Sequence, residues 1–306
     1  MAPERAASTR STVKQFRYLI PSCVDEAIAM RRENGEGARF IAGGTEIVPM
    51  MTRHKLEPDC LIELSRLHGL NALDCEDGSL RIGATVTHAA LESSGLTQGA
   101  WQALAEASGS IRERQIRNLG TVGGNLAYAV PSADLMPPLL AFDAILRIRG
   151  AAGDRPVPIS EFVVAPYRTS LRDGEIIVEI ELPRAREGMG SAFCKLTRFH
   201  GFGLSVASVA ATLTLREGRI GEARIAIGAG VPVARRVVDA ERFLEGKPPS
   251  AEVLQEAGKL TAAAAQPRVG SIRASPDYKR KVLVPLTARA LGLAATRSIQ
   301  RSMGDA

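Results

Sequence analysis

The 306-residue chain has four cysteines, and Cys23, Cys60, Cys75 and Cys194 lie far apart with no C-x-x-C pair among them. That spacing argues against a zinc site or a locally bound iron–sulfur cluster and is that of reduced thiols. Aromatic residues make up 4%, and the net charge of +6 is spread along the chain rather than gathered in a block. A nucleic-acid surface needs cations interleaved with stacking rings, so the charge reads as a solvated surface and no nucleic-acid partner is expected. The N-terminal stretch MAPERAASTRSTVKQF contains no apolar run of the ~7–15 residues a signal peptide requires, and no window reads as the ~18 residues of a membrane helix. The expectation is a cytoplasmic protein without membrane insertion.

The standard catalytic and nucleotide fingerprints are also missing. Neither G-x-G-x-x-G nor G-x-x-x-x-G-K-[ST] occurs; Gly201-Phe202-Gly203 and Gly228-Ala229-Gly230 both lack the third glycine. GLSVA at 203–207 misses the final glycine of a nucleophile elbow, and there is no H-E-x-x-H. His54, His68, His88 and His200 are scattered. No catalytic residue and no metal-ligand set is assigned.

What is present is an ordinary globular composition, 45% hydrophobic and 24% charged, in a chain long enough for two or three domains. Residues 1–11 read as a flexible polar tail. PSCVDEAIAMRRENGEG reads as a short helix that Ser22 can cap and Asn34-Gly35 ends. Strands are expected at 38–41, 60–64 and 79–84, the last after the turn Glu76-Asp77-Gly78. Thr87 can cap a helix, and GAWQALAEASGS forms another with Trp101 in the core. Ser132 can cap a helix before a strand at 144–149, and GEIIVEIELP is a strand at 174–183. RAREGMG is the expected domain boundary. Beyond it come three antiparallel strands, the last two joined at Glu217-Gly218, and helical stretches at about 234–245, 250–264 and 276–302. The fold class is α+β, with mixed sheets and flanking helices followed by a smaller sheet-and-helix domain.

Two glycine pairs stand out. RFIAGGTEIVPMM sets Gly43-Gly44-Thr45 between a strand and a helical segment, where glycines remove the side chains that keep a ligand from backbone N–H groups. The turn fits an anion site with a Thr45 hydroxyl and a helix dipole beyond it, or simply a tight turn with a threonine cap. TVGGN, Thr121 to Asn125, repeats the chemistry about eighty residues later, so that the two could close on the phosphates of one dinucleotide. Asp134 either accepts from a ribose hydroxyl or complements a helix dipole as a first-turn acid.

AGGTEIVPMM followed by TVGGNLAYAVPSADLMPPLLAFDA resembles the FAD-binding medium subunit of the molybdenum hydroxylases, the family of xanthine dehydrogenase and aerobic carbon monoxide dehydrogenase. The resemblance covers nearly the whole chain. It implies a flexible tail at 1–11, an FAD-binding domain at 12–186 with subdomains at about 12–72 and 73–186, and a C-terminal domain with a three-stranded antiparallel sheet and helices at 190–302. It implies that Arg39, Phe40, Ile41, Ala42, Gly43, Gly44, Thr45, Glu46 and Ile47 in the first segment, and Thr121, Val122, Gly123, Gly124 and Asn125 in the second, hold FAD, chiefly its pyrophosphate. It adds Asp134 as an FAD contact, Ile177 packed near the flavin and Lys195 beside the isoalloxazine, where a cation stabilises anionic reduced flavin.

The chain departs from the family at RFHGFG, where an acidic residue is common, which leaves open what faces the flavin edge. It also lacks the cysteine-rich insertion of the 4-hydroxybenzoyl-CoA reductase branch. The implied function is that of the FAD subunit of an oxidoreductase complex. A large subunit with molybdenum–pterin oxidises the substrate, a small subunit with two [2Fe-2S] clusters relays electrons, and this chain passes them from FAD to an external acceptor. The implied assembly is a heterotrimer or a dimer of heterotrimers. The alternatives are a self-sufficient FAD-dependent oxidoreductase and a scaffold protein that has lost FAD.

Overall fold

The computed structural model describes residues 12–111, 113–199, 202–271 and 273–304. The expected tail at 1–11 and His200 lie outside the described residues.

The first layer is a parallel sheet. β1 (Arg17–Leu19), α1 (Val24–Asn34), β2 (Ala38–Ile41), α2 (Ile47–Thr52) and β3 (Cys60–Glu63) follow in sequence, and the strands pair in the order β1-β3-β2. Parallel strands need crossovers, and α1 carries the chain from β1 to β2 and α2 from β2 to the central β3. Its cap differs from the sequence expectation: Cys23 is the N-cap and its Sγ accepts from the Glu26 amide, while Ser22 donates through N and Oγ to Glu26 Oε2. Gly35, at φ 59°, ends the helix as expected.

The second sheet is antiparallel. β4 (Leu73–Glu76) and β5 (Ser79–Gly83) form a hairpin through Asp77-Gly78, both at positive φ. Five helices follow: α3 (His88–Ser93), α4 (Gln102–Gly109), α5 (Arg114–Leu119), α6 (Val122–Tyr128) and α7 (Met136–Ala141). The chain then runs through β6 (Ile145–Gly150), β7 (Gly153–Pro158), α8 (Ile159–Phe162), β8 (Val163–Ala165), β9 (Arg168–Thr169) and β10 (Ile176–Leu182), giving the order β4-β5-β10-β6-β7 with β8 and β9 apart as a two-stranded ribbon.

Leu80, Ile82, Leu146, Ile148 and Ile180 face Leu104, Leu126 and Leu139 of the helices in one core. Trp101, expected in the core, packs edge-on against Phe142 at 5.0 Å. Ser132 does not cap a helix: α7 starts four residues later with Leu135 at the N-cap position, and Ser132 Oγ is buried without a hydrogen-bond partner.

The last layer comprises β11 (Gly190–Phe199), β12 (Phe202–Arg216), β13 (Arg219–Gly228) and β14 (Arg235–Arg236), an antiparallel sheet whose short fourth strand joins the three expected. Glu217 and Gly218, both at positive φ, make the β12–β13 turn. α9 (Val238–Leu244), α10 (Ala251–Ala264) and α11 (Pro276–Gly304) complete the chain. One 18-residue window of α11 has mean hydropathy 1.2, which corrects the expectation that no window qualifies by length and composition as a membrane span. Leu283, Ala290, Leu291 and Ala294 of this helix are buried with Ala192, Val209 and Leu213 of the sheet, so packing accounts for the apolar stripe.

Several polar links tie this layer to the preceding one, two of them at Asp143 and Glu106. Asp143 receives both Arg224 and Arg236, and Glu106 of α4 accepts from the Phe193 amide and pairs with Arg297 of α11.

Candidate functional site

β2 delivers its chain directly into the first glycine turn. Gly44 sits at φ 70°, a conformation that costs glycine little and other residues more. At Gly43 the constraint is space, since an added Cβ would lie 1.7 Å from the Leu119 carbonyl oxygen. The turn is therefore pressed backbone to backbone against the end of α5. Its carbonyls are used, with the Val48 amide donating to Gly44 and the Met50 amide to Glu46. Its donors are not: among the described residues none accepts from the amide N–H of Gly43, Gly44 or Thr45. α2 is only six residues long, so an anion here would meet these amides rather than a long helix dipole.

The second segment is built differently from the turn expected of it. Its glycines lie inside α6, and every amide from Val122 to Asn125 has a partner. Val122 donates to the Val86 carbonyl, Gly123 to Ala84, Gly124 to Thr121 Oγ1 and Asn125 to the Thr121 carbonyl. Gly123 is glycine because a Cβ would lie 2.8 Å from the Ala84 Cβ and oxygen, whereas a Cβ on Gly124 would meet only Thr121 Oγ1. This segment offers smooth backbone and no open donors.

Between the two lies a cavity of about 160 Å³, lined by Phe40, Ala42, Gly123, Gly124 and Ile177 of the expected residues. Thr85 and Glu175 also line it, with apolar walls from Leu64, Leu70 and Leu171. Thr85 Oγ1 and Asn125 Oδ1 are buried and have no protein partner. Buried polar groups are nearly always paired, so an orphan in the cavity wall, Thr85, and a second on the residue after the lining Gly124, Asn125, mark a place where a polar ligand completes the bonding. Glu175 is committed, accepting from both Arg155 nitrogens and from the Arg172 amide, and these bonds hold its carboxyl below the usual range. At about 160 Å³ the cavity takes one part of a larger ligand, an apolar body with a polar edge at Thr85 and the glycine backbone.

Other expected residues fall elsewhere. Arg39 folds back onto the carbonyls of Glu36 and Ala38 and does not line the cavity. Ile41 is buried with Met51 and Leu61, and Ile47 packs against that cluster. Burial pushes the Glu46 carboxyl up, against a hydrogen bond from Tyr128 and the charge of Arg53. Tyr128 in turn packs edge-on against Tyr167 at 5.4 Å. Asp134 and Lys195 form an ion pair at 2.7 Å, with Ser205 Oγ donating to the other carboxylate oxygen. This leaves Asp134 much less free to meet a ribose than the sequence suggests.

Sequence reasoning missed Thr85, Leu171 and Glu175. Glu175, Ile176 and Ile177 line the cavity in succession at the start of β10, so no alternation in the sequence marked Glu175. Thr85 lies just past the end of β5 and leaves no pattern either.

The sequence of residues 14–185 matches the family of the FAD binding domain in molybdopterin dehydrogenase, and residues 191–294 match the CO dehydrogenase flavoprotein C-terminal domain. The chain belongs to this family of oxidoreductase flavoprotein subunits. It is 32% identical to the carbon monoxide dehydrogenase medium chain of Hydrogenophaga pseudoflava over 92% of this chain and 98% of that one. It is equally 32% identical to the 6-hydroxypseudooxynicotine dehydrogenase complex subunit alpha of Paenarthrobacter nicotinovorans, over 92% and 95%. A solved carbon monoxide dehydrogenase from Hydrogenophaga pseudoflava superposes with a TM-score of 0.88 at 33% identity, covering 94% of this chain and 99% of that one.

Proposed function

We propose that this chain is the FAD-carrying electron-transfer subunit of a molybdenum hydroxylase complex. In this reading it receives electrons from the [2Fe-2S] clusters of a small subunit and passes them to an external acceptor. A large subunit holds the molybdenum–pterin cofactor, and the three chains form a heterotrimer. Residues 12–186, in two subdomains meeting near 72, form the flavin domain, and residues 190–302 form the C-terminal domain.

The observation that carries the reading is the row of unused amides at Gly43, Gly44 and Thr45, which follow directly on Ala42 in the wall of the cavity that Gly123 and Gly124 also line. Those amides would donate to the pyrophosphate, and Gly124 would let the diphosphate approach without a side chain in between. Asn125 Oδ1 and Thr85 Oγ1 supply polar partners, while Phe40, Leu64, Leu70 and Ile177 exclude water from the apolar portion. Lys195, held in place by Asp134, contributes a cation that favours added negative charge nearby. FAD, when bound, supplies a store for two electrons that arrive singly and leave as a hydride or as singles. The relatives' names cover carbon monoxide, nicotine and xanthine chemistry, consistent with substrate selection on another chain.

The test is to purify the chain alone and with its partner subunits and to measure flavin absorbance, molybdenum and iron. The isolated chain should carry flavin and oxidise no donor, with turnover appearing only in the complex. Donor oxidation by the isolated chain would establish a self-sufficient oxidoreductase instead.

A further inference from the structure

Residues 170–175 join β9 to β10 and bring Leu171 and Glu175 to the cavity wall. The rest of that wall comes from two layers: Phe40, Ala42 and Leu64 from the parallel sheet and the residues after it, Gly123 and Ala127 from α6. The 170–175 segment is tied to both layers, and the two ties differ in kind.

The first tie is shielded and multiple. Arg155 of β7 donates from Nε to Glu175 Oε1 at 2.8 Å and from Nη2 to Oε2 at 2.6 Å, and the same Nη2 donates to the Ser170 carbonyl at 2.9 Å. One guanidinium thus grips both ends of the segment. The Arg172 amide closes it from within, donating to Glu175 Oε2 at 2.7 Å. The Glu175 side chain is 9% exposed, and Gly150 at the end of β6 leaves room for it, since a Cβ there would lie 2.8 Å from Glu175 Cγ. Forked bonds between charged groups, sheltered from water, are among the strongest that side chains make.

The second tie is open to solvent. Asp173 pairs with Arg31 of α1, across the boundary between the layers. Gly174, at φ 76°, turns the chain beside the Arg31 stem, where a Cβ would lie 3.8 Å from Arg31 Cγ. Asp173 is 77% exposed, so water and salt screen the pair. Arg31 also donates to the Gly35 carbonyl and is not left bare when the pair opens.

We propose that residues 170–175 are a strap across the cavity, hinged at Arg155–Glu175 and latched at Arg31–Asp173, and that the ligand enters and leaves as the latch opens. This rests on the reading that the cavity takes part of FAD. Arg155 and Asp173 do not line the cavity; they are positioning residues that act through Leu171 and Glu175.

The test follows flavin fluorescence as the flavin-free full chain is mixed with FAD and as the loaded chain is diluted. In Asp173→Asn, entry and release should both rise by about fivefold and leave the affinity nearly unchanged, because the latch closes the strap with or without ligand. Asp173→Glu should return both rates toward those of the unmodified chain. In Arg155→Gln, release alone should rise, by about tenfold or more, because the wall itself is displaced, and Arg155→Lys should recover part of the loss. Residues that only supported the fold would lower the melting temperature without splitting the two rates in this way. Unchanged rates in Asp173→Asn, or a rise in release alone, would overturn the strap while leaving the flavin reading in place, whether or not Arg155→Gln folds. A chain that takes up no FAD would overturn the flavin reading and the strap with it.

Discussion

Lys195 Nζ lies 2.7 Å from Asp134 Oδ2, joining β11 to the loop before α7, with both side chains largely buried. Ser205 Oγ and, more distantly, Ser110 Oγ complete the carboxylate's shell. Two residues sixty-one positions apart in sequence thus form one charged unit where two sheet layers meet.

Breaking this pair from one side leaves a buried charge alone. Asp134→Ala should destabilise the protein by about 3 kcal/mol or more, whereas Asp134→Ala combined with Lys195→Met should recover much of that loss. Urea unfolding of the two singles and the double measures it; additive losses would show that the pair is not coupled.

The glycines separate stability from binding. Gly43→Ala drives a Cβ into the Leu119 carbonyl and should cost about 3 kcal/mol, the upper end for overpacking. Gly124→Val puts a Cβ 2.8 Å from the Thr121 hydroxyl that caps α6, a clash with one side chain rather than with backbone, so its melting temperature should fall less than that of Gly43→Ala while bound flavin falls sharply, as read from the 450 nm region of the absorption spectrum. Full flavin occupancy in Gly124→Val would remove the second segment from the site.

His88 makes stability depend on pH. Its ring is buried at the start of α3, with Nδ1 unpartnered, and burial lowers its pKa from 6.5 to about 4. The folded state prefers the neutral ring, so the unfolded state takes up the proton first. Stability is fully present above pH 6.5 and is lost as pH falls toward 4. Between pH 7 and pH 5 this amounts to about 2 kcal/mol. Denaturation at both values should show His88→Phe with a shallower loss than the unmodified chain; equal slopes would exclude His88 as the source.

Asp143 links the two layers from the other side. It sits at φ 52° after α7 and holds Arg224 and Arg236, while Arg236 keeps a second partner in Glu241. Asp143→Ala should cost about 1–3 kcal/mol, with each arginine falling back on its second partner, Arg224 on Glu222 and Arg236 on Glu241. Hydrogen exchange along β13 and β14 should rise before that of β4 and β5; uniform exchange would show that the layers unfold as one.

The local alphabet made the elements readable. Asp77-Gly78 and Glu217-Gly218 marked hairpins because left-handed geometry is a property of a few residues, and Thr87 marked a helix start because its hydroxyl satisfies a nearby amide. What sequence could not show depended on neighbours distant along the chain. TVGGN reads as a turn with open donors, yet the 84–86 carbonyls take its amides and make it a helix. Ser132 has the chemistry of a cap, but α7 begins beyond its reach. The Asp134–Lys195 pairing and the place of Thr85 in the cavity are likewise products of tertiary approach, invisible to any local window.

The contact of Gly43 with the Leu119 carbonyl has a mechanical consequence. An aperture framed by side chains widens or narrows as rotamers change, but here two main chains touch, one anchored by a parallel strand and the other by a helix end. The mouth of the site therefore has a rigid lip on that side. Leu171 and Glu175, by contrast, bring loop to the cavity wall, so the departure rate of a ligand should report the loosening of that loop rather than of the lip.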